Sequence, residues 1–553
     1  MPVPTGPRPF DALAAQLVAD TLEAAPTLGT AVGLTEYDEN LPDLSAEAVA
    51  ARERREDSWL DRLDALAAPA ADAELLPEER VDRDLARMRL RGARVMRDWA
   101  EWRRNPDQYA GTALQGVFGL LLHRLRPEAE LADAVAARLR AVPRLLEQGA
   151  ANLDPGLAAP QLLRRSLGMV AAGVTYARAV AGELPEAYRP AVAEAGEAAA
   201  VAFERFGAVV EDLAGRATGG WAIGEERYDA LLRQAEGLGY GAREMRDKGQ
   251  AAYDEIAADM RAITRGLRGD DDWRAAVEQI NEDAPATPEE MLERYREATA
   301  AARAFCVERG LVTMPAGERC EVVPSAPFNR ASLAVAHYVA PPPFAGRGVG
   351  HFFVPYPPDG APAEQVRQRL MTNSREGLWA IAVHEAYPGH HWHFATVAAS
   401  RLRPLRGVLG STYFVEGWGL YTEELMREQG FYATPQQELA QRDMRLFRAS
   451  RIVVDTSLHL GEMTVEQAVE HMSTKSSLSL ETARAEVLRY CAWPTQASSY
   501  LTGALEIRRM RDRWLAEGRG TLREFHDGVA ASGRMPISLV ERTVFDEAAE
   551  AAA

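Results

Sequence analysis

The sequence predicts a mostly helical protein interrupted by one small β region, and three observations lead to that class. Through most of residues 8–305, apolar side chains recur three and four apart with Ala, Leu, Arg and Glu between them. Residues 311–357 abandon that period for β-branched, aromatic and Pro/Gly-rich runs such as CEVVPSAP, LAVAHYVAPPP and GVGHFFVPYPP, which fit short strands. Helical texture resumes near Asn373 and holds to the C-terminus.

In chain order, VAARERREDSWLDRLDALAA (49–68), ADAVAARLRAVPRLLEQGAANL (132–153) and AAAVAFERFGAVVEDLAG (198–215) are the clearest amphipathic helices. Breaks fall at ELPEAYRP (183–190) and TGGWAIG (218–224), where Pro and Gly cluster. The change of texture divides the chain into a helical region, 1–305, and a region with the small sheet and later helices, 306–553, the two expected to intertwine. The glycines of GRGVG (346–350) read as a loop or hairpin. No helix opens directly after them and no Lys-Ser/Thr follows, as a phosphate loop requires.

Composition narrows the function. With 553 residues, 47% of them hydrophobic, the chain can bury a large core. Lys+Arg 63 against Asp+Glu 81 leaves a net charge of −18, which argues against a general nucleic-acid or anionic-membrane binder. The three cysteines, Cys306, Cys320 and Cys491, show no paired metal spacing and suit a reducing compartment. The N-terminus lacks the basic start and apolar core of a signal peptide, and no run approaches the roughly 20 apolar residues of a membrane span. A cytoplasmic location is the expectation.

Ten histidines occur in the chain, and four of them lie between 384 and 393, in AVHEAYPGHHWHF. Asn373 as N-cap with Glu376 three residues on would start a helix buried through Leu378, Trp379, Ile381, Ala382 and Val383. His384 then emerges from a rigid apolar wall. Neutral imidazoles there can bind a divalent ion, and the adjacent Glu385 can take a proton from an activated water. In the H-E-x-x-H pattern the two histidines sit one helical turn apart. Here His390 and His391 follow six and seven residues after His384, behind Pro388-Gly389. On an unbroken helix His391 would lie about 10 Å further along the axis, whereas zinc–nitrogen bonds are about 2 Å. Pro388 cannot donate the helical bond to the carbonyl of residue 384, so the helix must bulge or restart. His390 requires two extra residues in that bulge and His391 three. The smaller bulge assigns His390 to the metal and leaves His391 for a supporting or substrate contact.

A third protein ligand is expected from Glu416 in TYFVEGWGLYTEEL, among Phe414, Val415, Trp418 and Leu420, where a buried carboxylate needs a cationic partner. Its helical face also carries Leu420 and Glu423, while Gly417 and Gly419 permit close helix approach. One Zn2+ is the expected cofactor, and the same ligands also suit cobalt or manganese.

HEAYPGHH followed by VEGWGLYTEE resembles the DUF885 family of zincin-like metallopeptidases. GLTEYDENLPDLS (33–45), WAIGEERYDALL (221–232), SRIVVDTSLHLGEMTVEQAVEHM (450–472) and LRYCAWPTQASSYLTGALEI (488–507) resemble further blocks of that family. The resemblance implies a mostly helical, two-lobed fold around a deep cleft, with a small sheet beside the active-site helix. The family's metal and base positions fall on His384, Glu385, one of His390 and His391, and Glu416. One departure is Thr495, where the pattern usually carries glycine in Pro-Gly-Gln-Ala.

Toward the C-terminus, Asp455 and His459 share a helical face beside Arg451, and could place an imidazole near the substrate or form a plain ion pair. Tyr500 is a candidate donor to a developing oxyanion, and Arg489 and Arg508 are candidate holders of a substrate carboxylate. The expected function is zinc-dependent hydrolysis of peptide or peptide-like amide bonds, with Glu385 as general base and Tyr500 or His459 at the oxyanion. The deep cleft implied by the family favours short peptides. The alternatives are a metal-dependent hydrolase, lyase or cyclase acting on a non-peptide metabolite, and a metal-free helical binding scaffold.

Overall fold

The structure is a computed structural model that describes residues 8–325, 330, 335–345, 349–400 and 402–551, with backbone alone for 547–551. The chain is mostly helical and carries one three-stranded sheet among the described residues. The three segments read as amphipathic helices form the helices Ala46–Ala65, Glu128–Asn152 and Arg189–Arg216. ELPEAYRP follows a short 3-10 turn that ends at Glu183, forms a second at Glu186–Tyr188 and leads into the helix at Arg189, and residues 217–224 form a loop before the next helix. No described helix is long and apolar enough to cross a membrane.

The described residues gather into two compact units, one drawn from Met1–Ala222, Pro342–Gly346 and Arg403–Leu409, the other from Ile223–Pro341, Arg347–Leu402 and Gly410–Ala553. The division expected at 305/306 is therefore corrected to 222/223, with two later excursions into the first unit. The cause is packing: helix Ala242–Arg268 lies along Pro435–His459, and helix Pro288–Arg309 lies against Leu378–Glu385. These N-terminal helices complete the core of the second unit.

In the first unit, Pro160–Ala179 and Glu128–Asn152 pack on Arg189–Arg216. The buried Arg138 guanidinium donates to the carbonyls of Asn40 and Tyr37 and to the Thr30 hydroxyl, which itself donates to Asp38 at 2.7 Å. The GLTEYDENLPDLS segment is thus held by an internal polar network, which is a structural role.

The second unit contains the sheet: β1 (Arg319–Pro324), β2 (His337–Val339) and β3 (Val349–Val354), in the order β1-β3-β2. β1 runs parallel to β3 with Val322 opposite Phe352, and β2 is antiparallel with Tyr338 opposite Phe352. Alternate side chains of β3 are buried, and Phe352 meets the ring of Tyr295 edge-on at 5.4 Å. β2 is an edge strand, so its outer backbone groups are available to neighbouring side chains. Within GRGVG, residues 346–348 lie outside the described residues, and Val349-Gly350 open β3. Residues 333–334 of the LAVAHYVA run also lie outside them.

Candidate metal centre

The helix that carries His384 spans Leu378–Glu385, and Leu378, Ala380, Ala382 and Val383 are buried. It begins later than expected, and Asn373 does not cap it. The Asn373 side chain instead accepts from the Tyr295 hydroxyl and donates to the Arg369 carbonyl, while the Ser374 hydroxyl accepts from the Gly377 amide. The helix stops after Glu385 and a second one starts at His390. Between them, Gly389 lies so close to the preceding turn that a Cβ there would sit 2.0 Å from the His384 carbonyl oxygen and 2.3 Å from that of Val383. Only glycine permits that approach. The two-residue insertion is folded back on the helix end, which brings the His384 and His390 rings to 4.7 Å, edge to face. The Trp418 indole donates to the Pro388 carbonyl at 2.9 Å and ties the bulge to the next helix.

That next helix, Thr412–Glu428, is capped by the Ser411 hydroxyl accepting from Phe414 N, and it presents Glu416. His384, His390 and Glu416 each direct one ligand atom into a common space, all within 4.8 Å of one another. Glu416 Oε2 lies 3.6 Å from His384 Nε2 and 3.7 Å from His390 Nε2. Two ligands with bonds of about 2 Å at a tetrahedral angle are about 3.3 Å apart, so the spacing fits a small divalent ion with slight contraction. Glu423, one helical repeat beyond Glu416, places Oε1 2.8 Å from His384 Nδ1. It holds the ring so that Nε2 faces the other ligands. Gly419 makes room for this, since a Cβ there would meet the His384 ring at 2.6 Å, while Gly417 packs on the backbone of Gly503.

The electrostatics also suit a cation. Burial would lower the His384 imidazole, but the Glu416 and Glu423 carboxylates outweigh it and push it up to about 10. Burial would raise Glu416, and the two imidazoles hold it far below the carboxylate range instead. A divalent ion placed there replaces protons that the acidic residues otherwise draw onto the histidines.

Glu385 adjoins this cluster. Its Oε2 accepts the backbone N–H of Tyr338 from β2 at 3.0 Å, and burial raises its carboxyl pKa above the usual range. Tyr500 is half-buried on helix Gln496–Ala516, whose Gly503 abuts Gly417 and Tyr413. Burial and the Glu416 charge raise its phenol, against the opposing pull of Arg451, Arg489 and Arg448.

Three other sequence expectations need correction. His391 is fully buried and turned away from the ligand cluster, with Nε2 2.9 Å from Glu318 and Nδ1 3.0 Å from the Tyr338 hydroxyl. Both ring nitrogens are thus engaged within the protein, and no face of the ring is open to a substrate. His459 is likewise fully buried, against the Tyr490 carbonyl at 3.0 Å and Asp455 at 3.7 Å, and Asp455 accepts from the Tyr228 and Ser498 hydroxyls. That network joins helices within the core and leaves no open face toward a substrate. Arg489 is bonded to Glu486, and Arg508 lies on the surface beside Asp512, so each already has an acidic neighbour. The fourth clustered histidine, His393, is packed between Phe394 and Phe414, and burial lowers it to about 3.

Two contributors escaped the sequence reading. Glu423 lay on the recognised face, and its seven-residue spacing from Glu416 was the available signal. Tyr338 contributes a backbone N–H, which no side-chain pattern announces.

The family model described as "Bacterial protein of unknown function (DUF885)" matches residues 26–544. None of the curated proteins matches the chain. Among solved structures, one described as "a putative lipoprotein of unknown function from Shewanella oneidensis" is similar with a TM-score of 0.77 at 20% identity, covering 98% of this chain and 100% of that one. Another, described as a "putative lipoprotein from Colwellia psychrerythraea", has a TM-score of 0.79 at 19% identity, covering 98% and 99%. At these identities the likeness shows a shared fold.

Proposed function

Since the chain belongs to the DUF885 family of bacterial proteins of unknown function, we propose its function from the site itself: zinc-dependent hydrolysis of peptide or peptide-like amide bonds in a zincin-like arrangement. The observation that supports it most is the convergence of His384, His390 and Glu416 within 4.8 Å, with Glu385 following His384 directly and Glu423 holding its ring. The three ligands would hold the ion, which when bound supplies Lewis acidity for a carbonyl and acidity for a water at neutral pH.

The chain's own residues do the rest. Glu385, oriented by the Tyr338 N–H and raised by burial above the ordinary carboxylate value, accepts a proton from the attacking water and delivers it to the leaving nitrogen. The Tyr500 hydroxyl donates to the oxygen that gains charge as the carbonyl becomes tetrahedral. The buried Trp418 and the apolar helix Leu378–Glu385 keep water from the inner wall, which strengthens these interactions.

The acidic chain is proposed to bind neither nucleic acid nor membrane, and its three free cysteines favour the cytoplasm. The lipoprotein description of the two structural neighbours makes envelope attachment the competing location, which cell fractionation decides.

The test is metal content and turnover together. The purified chain is expected to hold one zinc, to cleave di- and tripeptides, to lose activity on chelation and to regain it with zinc. Glu385→Gln is expected to keep the metal and lose at least 10²-fold in kcat. Hydrolysis that is indifferent to chelation, or near-normal turnover in metal-loaded Glu385→Gln, overturns the reading.

A further inference from the structure

Arg448 stands on helix Pro435–His459 in a row of arginines, and it differs from its neighbours in one respect. Arg442 is bonded to Glu424 at 2.8 Å, Arg451 to Glu486 at 2.8 Å and Arg489 to Glu486 at 2.9 Å. Arg445 lies 3.7 Å from Glu424. Among the described residues, Arg448 has no carboxylate at ion-pair distance. Its one hydrogen bond runs from a terminal nitrogen to the Met444 carbonyl of its own helix at 3.1 Å, and its buried Nε has no partner. A guanidinium partly drawn out of water without an anion is costly, and burial does disfavour its charge here.

Its surroundings say what would relieve that cost. The charged and phenolic groups that act on Arg448 include Glu423, Arg451, Tyr500, Glu486 and, on its own helix, Asp443, which accepts from the Ser477 hydroxyl at 2.6 Å and is not at ion-pair distance. Glu423 gives Oε1 to His384 and its other oxygen is not at ion-pair distance from Arg448, while Glu486 already serves Arg451, Arg489 and Tyr490. The Tyr500 phenol is within electrostatic reach of both Glu416 and Arg448. Glu416, Arg448 and Tyr500 are all partly open to solvent, so a small molecule can reach each of them.

We infer that Arg448 is the binding site for a free carboxylate of the substrate, resting on the hydrolase reading above, so that the enzyme acts on peptides or peptide-like amides whose unblocked C-terminal carboxylate lies close to the cleaved bond. A planar guanidinium matches a carboxylate with two parallel hydrogen bonds, a match that an amide cannot reproduce. With the reacting carbonyl at Tyr500 and the carboxylate at Arg448, the activity is splitting of a dipeptide or removal of a C-terminal residue.

The experiment uses N-acetyl-L-phenylalanine and its primary amide as probes, titrated into the full-length chain by calorimetry with zinc and after chelation. The acid is expected to bind about 10- to 100-fold more tightly than the amide in both forms, as loss of a charge-assisted pair implies. Arg448→Met should erase the preference, and Arg448→Lys, which keeps the charge without the fork, should retain part of it. Turnover of Gly-Phe against Gly-Phe amide should show the same ratio in kcat/KM. Equal binding of acid and amide, no acid binding at millimolar concentration, or a preference that survives in folded Arg448→Met overturns the inference. The two readings fail separately. Metal-dependent cleavage that ignores the carboxylate leaves the hydrolase without this subsite, and an Arg448-dependent preference without turnover leaves the subsite without the hydrolase.

Discussion

Glu423 Oε1 lies 2.8 Å from His384 Nδ1, across 39 residues of sequence, and it is the contact that aims the other nitrogen of that ring at Glu416 and His390. A carboxylate in this position fixes the tautomer and makes the imidazole a better donor to a metal. The arrangement costs the protein a fully buried acid whose second oxygen has no hydrogen-bond partner among the described residues.

Replacement of Glu423 by Gln should therefore weaken zinc binding by about 10- to 100-fold without unfolding the chain. Competition with a chromogenic chelator measures this. Unchanged affinity would mean that His384 is oriented by its packing alone.

His390 and His391 should part company on mutation. His390→Ala removes a ligand and should abolish stoichiometric zinc. His391→Ala should keep zinc and instead lose stability, because Glu318 and Tyr338 are left without their partner in a closed site. Metal analysis beside a urea melt separates the two. Zinc lost from a folded His391→Ala would reverse the assignment.

Glu318 gives a pH-dependent stability. Burial would raise its carboxyl, but His391, Tyr387 and Arg303 bring it down to about 2. A carboxylate depressed in the folded state contributes stability that is fully present above its ordinary value and is lost as pH falls through the folded one. Glu318→Gln should cost about 3 kcal/mol at pH 7, as for a broken buried pair. That difference should hold down to about pH 4.5 and shrink toward pH 2. Denaturant unfolding at pH 7, 5, 3.5 and 2.5 checks it, and a gap that does not close on the acid side would assign the loss to packing.

Thr495 adopts φ +69°, the left-handed region that side chains with a branched Cβ resist, at the start of helix Gln496–Ala516. Its side chain makes no capping bond, so its removal forfeits none. Thr495→Gly should stabilise the chain by about 1 kcal/mol, the relieved strain outweighing the added freedom of the unfolded chain. A lower denaturant midpoint would show that the threonine methyl packs more usefully than its backbone suffers.

The sequence by itself determined the helical class, the position of the small sheet and the candidate ligands. Each of these is written in neighbouring residues. The three-and-four period marks the helices, and Pro388-Gly389 dictates a break whose smaller form returns His390 toward His384. An acid among Phe414, Val415 and Trp418 requires a partner wherever that helix packs. Tertiary structure alone decided the rest. His391 turned to Glu318, 73 residues earlier, and Tyr338 reached Glu385 from an edge strand 47 residues away. His459 closed into a core network, and among the described residues Arg448 rather than Arg489 has no acid at ion-pair distance. Helices 242–268 and 288–309 joined the later half of the chain and moved the expected boundary. Periodicity and backbone stereochemistry act between adjacent residues and can be read along the chain, whereas the pairing of a buried charge depends on which distant helix or strand the packing of apolar faces brings beside it.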